Sequence, residues 1–476
     1  MSAALVWFRN DLRLDDNPAF DYAIQSGLPI ICLYIHGAEK RPLGGASRWW
    51  LHHSLSKLNA HLESKGGSLV IEKGNPKEVL NNLIAKHHVK LVTWGRRYDA
   101  ASIAEDTTIK KDLKDQGLEV HSFNTSLLFE PHHIKNKQGT PFQVFTPFWK
   151  HCQTLEEPRK PLLLPHSINF YSSLPSRQIF NTHLESLQLL PHRPDWSGGL
   201  QESWQPGEDG ARLRLDTFLH NALENYQEER NRPDLEGTSK LSPHLHFGEI
   251  SLNTIYHRTL EVMAGNPSTH HGGTHFLSEL GWREFSTHLI HHFPHIENEP
   301  LKKEFERFPW EENSTLLKAW QKGLTGYPIV DAGMRELWHT GWMHNRVRMI
   351  AASLLIKGLF IHWKRGEEWF WDTLVDADIA NNTASWQWVA GSGADAAPYF
   401  RIFNPVLQGQ KFDPQGNYIK KWIPELEGIE PENLHTPWLS KKWANISGKY
   451  PAPIVDHGES RDKALKLYKL IRSDFA

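Results

Sequence analysis

The hydrophobic period of this chain changes partway along it, and that change limits the fold more than any other feature. Over roughly the first 125 residues, short apolar runs occur at 4–8, 30–35, 68–71, 91–94 and 119–123. Polar stretches patterned as amphipathic helices separate them, such as SRWWLHHSLSKLNAHLES and ASIAEDTTIKKDLKDQG. Strand–helix alternation at this spacing predicts a doubly wound parallel sheet, α/β in class. Such sheets take ligands beyond the carboxyl ends of their strands. Neither GxGxxG nor GxxxxGK[ST] occurs, so no dinucleotide fingerprint or P-loop accompanies the pattern. Beyond Gly207 apolar residues recur at three- and four-residue intervals and strand signals nearly vanish, so this part reads as all-α. The stretch between, rich in Pro, His, Ser and Leu, reads as a long connector wrapping the surface. The expected organisation is an α/β domain over 1–130, a connector over 131–206 and a helical domain over 207–476.

Composition narrows the function classes. The 53 Lys+Arg against 55 Asp+Glu give a net charge of −2, so a polyanion partner needs a local basic patch. Two cysteines exclude a disulfide framework and a cysteine-rich metal site, and they suit a reducing cytoplasm. The N-terminus lacks a signal-peptide pattern and no 18-residue apolar run occurs, so a membrane partner is not expected. A cytoplasmic monomer of bacterial type is the expectation. The chain carries 20 tryptophans beside only 5 methionines. That excess fits either a large aromatic core or stacking and redox chemistry.

Four segments hold residues that suit chemistry. In EGTSKLSPHLHFGEIS, Thr238, Ser239 and Ser242 precede a helical pattern with Pro243 near its start. Hydroxyls and free N–H groups there suit a phosphate, with ordinary N-capping as the alternative. Tyr226, upstream, could cover such a ligand. In LSELGWREF a helix puts Glu279, Trp282 and Arg283 on one face. That face suits a stacked planar ligand with a phosphate nearby, or else a surface ion pair beside a core tryptophan. In WMHNRVRM, Trp342, Asn345 and Arg348 share a face. In DADIANNTASWQW, a helix would align Asp378, Asn382 and Trp386, with Trp388 pointing elsewhere. Asp376 and Asp378 in so apolar a setting need a counter-charge, for which Arg348 is the candidate. An amide within the stripe suggests a heteroaromatic cofactor bound by its edge.

These segments, with VWFRNDLRLDDNP, TGYPIVDAGMRELWHTGWMHNRVRM and GADAAPYFRIFNP, resemble the photolyase/cryptochrome family over nearly the whole chain. The resemblance implies an antenna-binding α/β domain and a helical domain that binds FAD and UV-damaged DNA. It implies that Tyr226, Thr238, Ser239, Leu241 and Ser242 hold the FAD phosphates and ribityl chain. Trp342 and Asn345 would line the cavity, Arg348 would pair with Asp376 beside the isoalloxazine, and Asp378 would contact its polar edge. Asn382 matches the residue opposite flavin N5. Glu279, Trp282, Met349 and Trp388 match positions that hold a flipped pyrimidine dimer, with Arg283 near its phosphates. Trp386, Trp363 and Trp310 match the electron-hopping chain, and the remaining tryptophans are expected in the core. Further phosphate contacts are expected from Arg230, Arg401 and Lys411.

The implied activity is that of a deoxyribodipyrimidine photo-lyase, splitting cyclobutane dimers with an electron from photoexcited reduced FAD. A cryptochrome-like photoreceptor and (6-4) photoproduct repair are the alternatives. LSPHLHFGEIS is similar to plant cryptochromes and class III photolyases as well as to class I enzymes. Plant cryptochromes typically carry Asp where this chain has Asn382, which favours repair. Phe276 stands where some class I enzymes have Trp. A second chromophore is expected, methenyltetrahydrofolate first and deazaflavin second. GRRYDAAS lacks the Asn-Glu pair that contacts folate in some relatives, and Arg9 and Arg13 are read as braces of the domain interface. The run THLIHHFPH offers His288, His291 and His292 at metal-compatible spacing, with His270, His271 and His275 upstream. No carboxylate or cysteine completes a site, so a solvated histidine face is expected and no metal is assigned.

Overall fold

A computed structural model describes residues 2–37, 41–172, 176–396 and 401–473. Part of the GADAAPYFRIFNP motif, residues 397–400, lies outside the described residues. The five apolar runs form one parallel sheet of strands β1 (Ala3–Phe8), β2 (Ile30–His36), β3 (Leu69–Lys73), β4 (Val89–Gly95) and β5 (Glu119–Phe123), ordered β3-β2-β1-β4-β5. All of β1 is buried, as a central strand covered on both faces must be. Helices α1 (Pro18–Gln25), α2 (Gly45–Ser64), α3 (Pro76–His87) and α4 (Ala100–Asp115) connect the strands. Asn17 and Asn75 cap α1 and α3 by accepting two backbone N–H groups each, and each is followed by a proline that opens the helix.

Strand order reverses between β1 and β4, which puts a crevice at their carboxyl ends. The helical domain plugs part of it. Leu12 N–H donates to Phe247 O at 3.0 Å, Asn10 Nδ2 to His246 O at 3.0 Å and Arg13 Nη1 to Gly248 O at 2.9 Å. Gly248 has φ 68°, and a Cβ there would lie 2.0 Å from the Asn10 carbonyl oxygen. Only glycine permits this approach. Arg13, 1% exposed, also donates to the carbonyls of Asp15, Asp16 and Thr125. It is a brace of the interface. Arg9 instead stays within the α/β domain, paired with Asp106 at 2.8 Å above the Trp7 ring.

The connector is more ordered than its composition predicts. It contains helices Phe145–Cys152, Arg177–Ser186 and Gly198–Ser203, each too short for a helical period to stand out among prolines. Phe145, Phe148, Trp149 and Cys152 of the first turn inward against the long helix His270–His292. Around that helix pack Leu252–Gly265 and Ile379–Ala390, with Pro328–Thr340, Asn345–Ser353 and Trp363–Thr373 completing the core on the far side. Trp7, Trp49, Trp50, Trp94, Trp320 and Trp363 are fully buried, in line with an aromatic core. Trp338 departs from it. This ring is 59% exposed and stacked on Trp369 at 5.9 Å, so the core does not absorb all the remaining tryptophans.

The histidine run is not wholly a solvated face. Among the described residues no group of three ligands could hold a metal. His288 is wholly buried against Phe148, and its Nε2 accepts from Phe142 N–H at 3.0 Å. His292 Nε2 lies 3.0 Å from Pro131 O. The connector therefore covers this face, a burial that single-segment periodicity does not reveal. His270 and His271 do lie exposed.

Burial pushes His288 from 6.5 down to about 3, with His292 and His291 adding to the effect. The unfolded chain therefore takes up a proton first as pH falls. Stability from the neutral ring is present above about 6.5 and is lost towards pH 3 at ~1.4 kcal/mol per pH unit. Urea unfolding from pH 7 to 4 should show a correspondingly shallower loss for His288→Gln, and a slope equal to wild type would contradict the assignment. Arg13→Ala leaves several buried carbonyls without donors. It should lower unfolding stability by about 3 kcal/mol or more, read by the same titration at pH 7.

Candidate active site

An ion pair between a half-buried arginine and a buried aspartate makes the floor of the site. Arg348, on the helix Asn345–Ser353, donates from Nη1 to Asp376 Oδ1 at 3.1 Å and from Nη2 to Oδ2 at 2.7 Å. Its Nε donates to Met343 O at 2.7 Å, which fixes the plane of the fork. Ser242 Oγ donates to Asp376 Oδ2 at 2.6 Å and accepts from Trp342 Nε1 at 3.3 Å. The carboxylate thus gathers three segments far apart in sequence. Removing one partner of such a pair leaves an uncompensated buried charge, which costs about 3–5 kcal/mol.

The helix Ile379–Ala390 forms one wall. Asp378 is its N-cap rather than part of a helical stripe, accepting from Asn381 N at 2.9 Å and from Asn381 Nδ2 at 2.7 Å. Its charge is met by the helix start, so it needs no arginine. Asn382 is buried and donates from Nδ2 to Glu367 O at 3.1 Å and to Glu367 Oε1 at 2.7 Å. Two acceptors on one side fix the amide nitrogen there and leave Oδ1 for a ligand.

The third side comes from the stretch before Ser242. Thr238 and Ser239 are half-buried, Leu241 is buried, and Lys240 sits between them in a left-handed turn with φ 51°. Lys240 Nζ lies 5.4 Å from the Trp342 ring centre. Tyr226 is buried edge-on to Phe218 and Phe276 at 5.3 and 5.6 Å, so Phe276 serves an aromatic cluster beneath the site. Asn345 is exposed at the start of its helix.

The expected substrate face is partly committed to the protein itself. Glu279 is paired with Arg230, whose guanidinium lies 5.4 Å from the Tyr226 ring centre. Trp282 stacks on Phe145 of the connector at 3.8 Å and 11°, so one face of its indole is covered. Arg283 donates to Ser126 O at 3.0 Å and to Leu245 O at 3.4 Å, so two of its N–H groups brace backbone instead of facing a phosphate. Met349 lies half-buried beside Arg346, and Trp388 is half-buried. Arg401 and Lys411 are exposed.

Of the three expected relay tryptophans, two are buried and the third reaches the surface. Trp386 and Trp363 are 2% and 1% exposed, and Trp310 is half-buried. Trp386 packs over Gly366, where a Cβ would fall 2.1 Å from Trp386 Cη2. Beyond Trp363 the ring contacts run through His362, stacked on Trp363 at 5.6 Å and edge-on to Trp310 at 5.0 Å. His362 Nδ1 accepts from Lys364 N–H at 3.0 Å, and burial holds its pKa down.

Sequence reasoning missed His362, Glu367 and the Phe145 cover. It also missed His246, one turn beyond Ser242, whose two ring nitrogens are buried without a protein partner. His344 Nε2 is orphaned in the same way. Buried unsatisfied groups cost about 1–3 kcal/mol each, so a polar ligand among them is favoured. Hydroxyls, Lys240, a free amide oxygen and a guanidinium–carboxylate floor form a donor and acceptor set that fits FAD.

Comparison with known proteins agrees with the geometry. The family models "DNA photolyase" and "FAD binding domain of DNA photolyase" match residues 4–165 and 276–470. The chain is 46% identical to a deoxyribodipyrimidine photo-lyase of Agrobacterium fabrum, covering 98% of both chains. It is 35% identical to Cryptochrome-1 of Arabidopsis thaliana over 96% of this chain and 69% of that one. The crystal structure of a bacterial class III photolyase from Agrobacterium tumefaciens superposes with a TM-score of 0.94 at 45% identity, covering 99% of this chain and 98% of that one. The chain belongs to the photolyase/cryptochrome family.

Proposed function

We propose that this protein is a light-driven DNA repair enzyme that splits cyclobutane pyrimidine dimers in UV-damaged DNA. The observation that carries the reading is the Arg348–Asp376 pair tied to Ser242, with the Asn382 amide held by Glu367 and the rings of Trp363, His362 and Trp310 in sequential contact. The relatives named photo-lyase support it, and the cryptochrome matches at lower identity. Bound and reduced, FAD supplies a light-excited electron that splits the dimer and is then returned.

The residues of this chain bind and orient. Lys240, Thr238 and Ser239 would hold the phosphates, and Tyr226, Leu241 and Ser242 the ribityl side. Trp342 and Asn345 line the cavity. Arg348 and Asp376 would flank the isoalloxazine, Asp378 would meet its polar edge, and Asn382 would offer it an amide oxygen. A flipped dimer meets Glu279, Met349, Trp388 and the uncovered face of Trp282, each stack contributing about 1–3 kcal/mol. Arg401 and Lys411 meet DNA phosphates, so affinity falls as salt rises. Arg230 contributes through Glu279.

A second chromophore at the carboxyl edge of the sheet completes the reading, with methenyltetrahydrofolate the first choice and deazaflavin the second. The protein acts as a cytoplasmic monomer. Both cysteines are buried and free, and no described helix is long and apolar enough to cross a membrane.

Reduced protein, blue light and a dimer-bearing oligonucleotide should return intact pyrimidines. Absence of repair with flavin bound and reduced would overturn the proposal in favour of a photoreceptor. Trp310→Phe should slow photoreduction of oxidised FAD at least about tenfold and leave repair by pre-reduced enzyme near wild type. Equal loss of both would make Trp310 structural.

A further inference from the structure

We propose that Arg41, carried by the α/β domain between β2 and α2, is a positioning residue for the Asn382 amide. The inference rests on the reading of the cavity as a flavin site. Glu367 is the intermediary. Its side chain is wholly buried, and Arg41 grips it with both arms of the fork, Nη1 to Oε1 at 2.7 Å and Nη2 to Oε2 at 3.0 Å. Lys364 Nζ adds a second cation 3.3 Å from Oε2, but it also donates to Glu297 O at 2.7 Å. The same Oε1 that receives Arg41 accepts Asn382 Nδ2 at 2.7 Å. One oxygen therefore joins a residue of the first domain to the amide of the second.

Arg41 is itself held in place. Its guanidinium lies 4.0 Å from the Trp371 ring centre, and Trp371 Nε1 donates to Pro42 O at 2.9 Å. Gly45 N–H donates to Asp372 Oδ1 at 2.9 Å. A Cβ on Gly44 would lie 2.0 Å from Trp371 O, so the segment sits directly on the helix Trp363–Thr373. A fork gripped this firmly aims a carboxylate in a way that a point charge does not.

The consequence falls on the flavin side. A carboxylate only accepts, so with Glu367 clamped the amide gives it Nδ2 and keeps Oδ1 for the cavity. An amide oxygen accepts from an N–H and so favours flavin protonated at N5. Without the fork, the Glu367 carboxylate loses the partner that aims it, and the amide keeps only the Glu367 backbone carbonyl, at 3.1 Å, as a fixed acceptor. The domain that carries the antenna fold thereby sets which flavin redox state persists.

The test uses full-length flavin-loaded protein, reduced anaerobically and then exposed to air, with reoxidation followed in the visible spectrum. Arg41→Met should speed reoxidation about tenfold, Arg41→Lys should fall between it and wild type, and Asn382→Ala should speed it at least as much. In the double variant Arg41→Met/Asn382→Ala the rate should equal that of Asn382→Ala alone, because Arg41 acts through the amide. Additive effects in the double variant, or wild-type reoxidation in Arg41→Met, would overturn the proposal. Should Arg41→Met not yield folded protein, Arg41→Lys carries the same comparison, and its additivity with Asn382→Ala is equally decisive. An Asn382→Ala spectrum and rate identical to wild type would instead sink the flavin reading beneath it.

Discussion

The pairing of Arg348 with Asp376 is the constraint around which the helical domain is arranged. Asp376 could not be buried without a counter-charge, and the bidentate geometry fixes the helix Asn345–Ser353 against the turn that leads into Ile379–Ala390. Because Ser242 shares the same carboxylate, that pair also sets where the hydroxyl-bearing stretch from Thr238 lies. Three stretches that each look ambiguous alone become one site. Its amide wall, its indole and its orphaned histidines all lie on segments that this carboxylate ties down or that pack against them.

The junction between the domains follows the same physics. Arg13 saturates carbonyls on both sides of it, Glu208 accepts from Leu14 and Asp15 N–H groups at 3.1 Å, and Arg41 closes on Glu367. Buried charges met by backbone groups or by an opposite charge hold two folds in one relative position, because any slip would leave a charge unsatisfied in a low-dielectric setting. The near-neutral composition acquires a structural meaning here. Some of the cations that composition counts, Arg9, Arg13 and Lys357 among them, are buried, so contact with DNA falls to exposed ones such as Lys411.

Much of this was legible in the sequence. The period change located the sheet and the helical domain, since five apolar runs within a residue or two of the true strands survive tertiary packing. The need of a carboxylate in an apolar segment for a counter-charge pointed to Arg348 for one of Asp376 and Asp378, and the family resemblance singled out Asp376. What escaped detection depends on long-range docking. Arg41 and Glu367 stand 326 residues apart and only folding joins them. Phe145 covers Trp282 from a segment that reads as irregular, and Asp378 turned out to be a cap because its backbone is extended, with ψ 155°. His288 looked like part of a polar face until the connector covered it.

The direct measure of the account is the affinity of the protein for FAD when the floor of the cavity is broken. Flavin content after extensive dialysis, with fluorescence titration of the stripped protein, should show Arg348→Met binding FAD at least about a hundredfold more weakly than wild type. The variant's helical circular dichroism should be retained. Wild-type affinity in a folded Arg348→Met protein would contradict the central claim that the Arg348–Asp376 pair builds the flavin site.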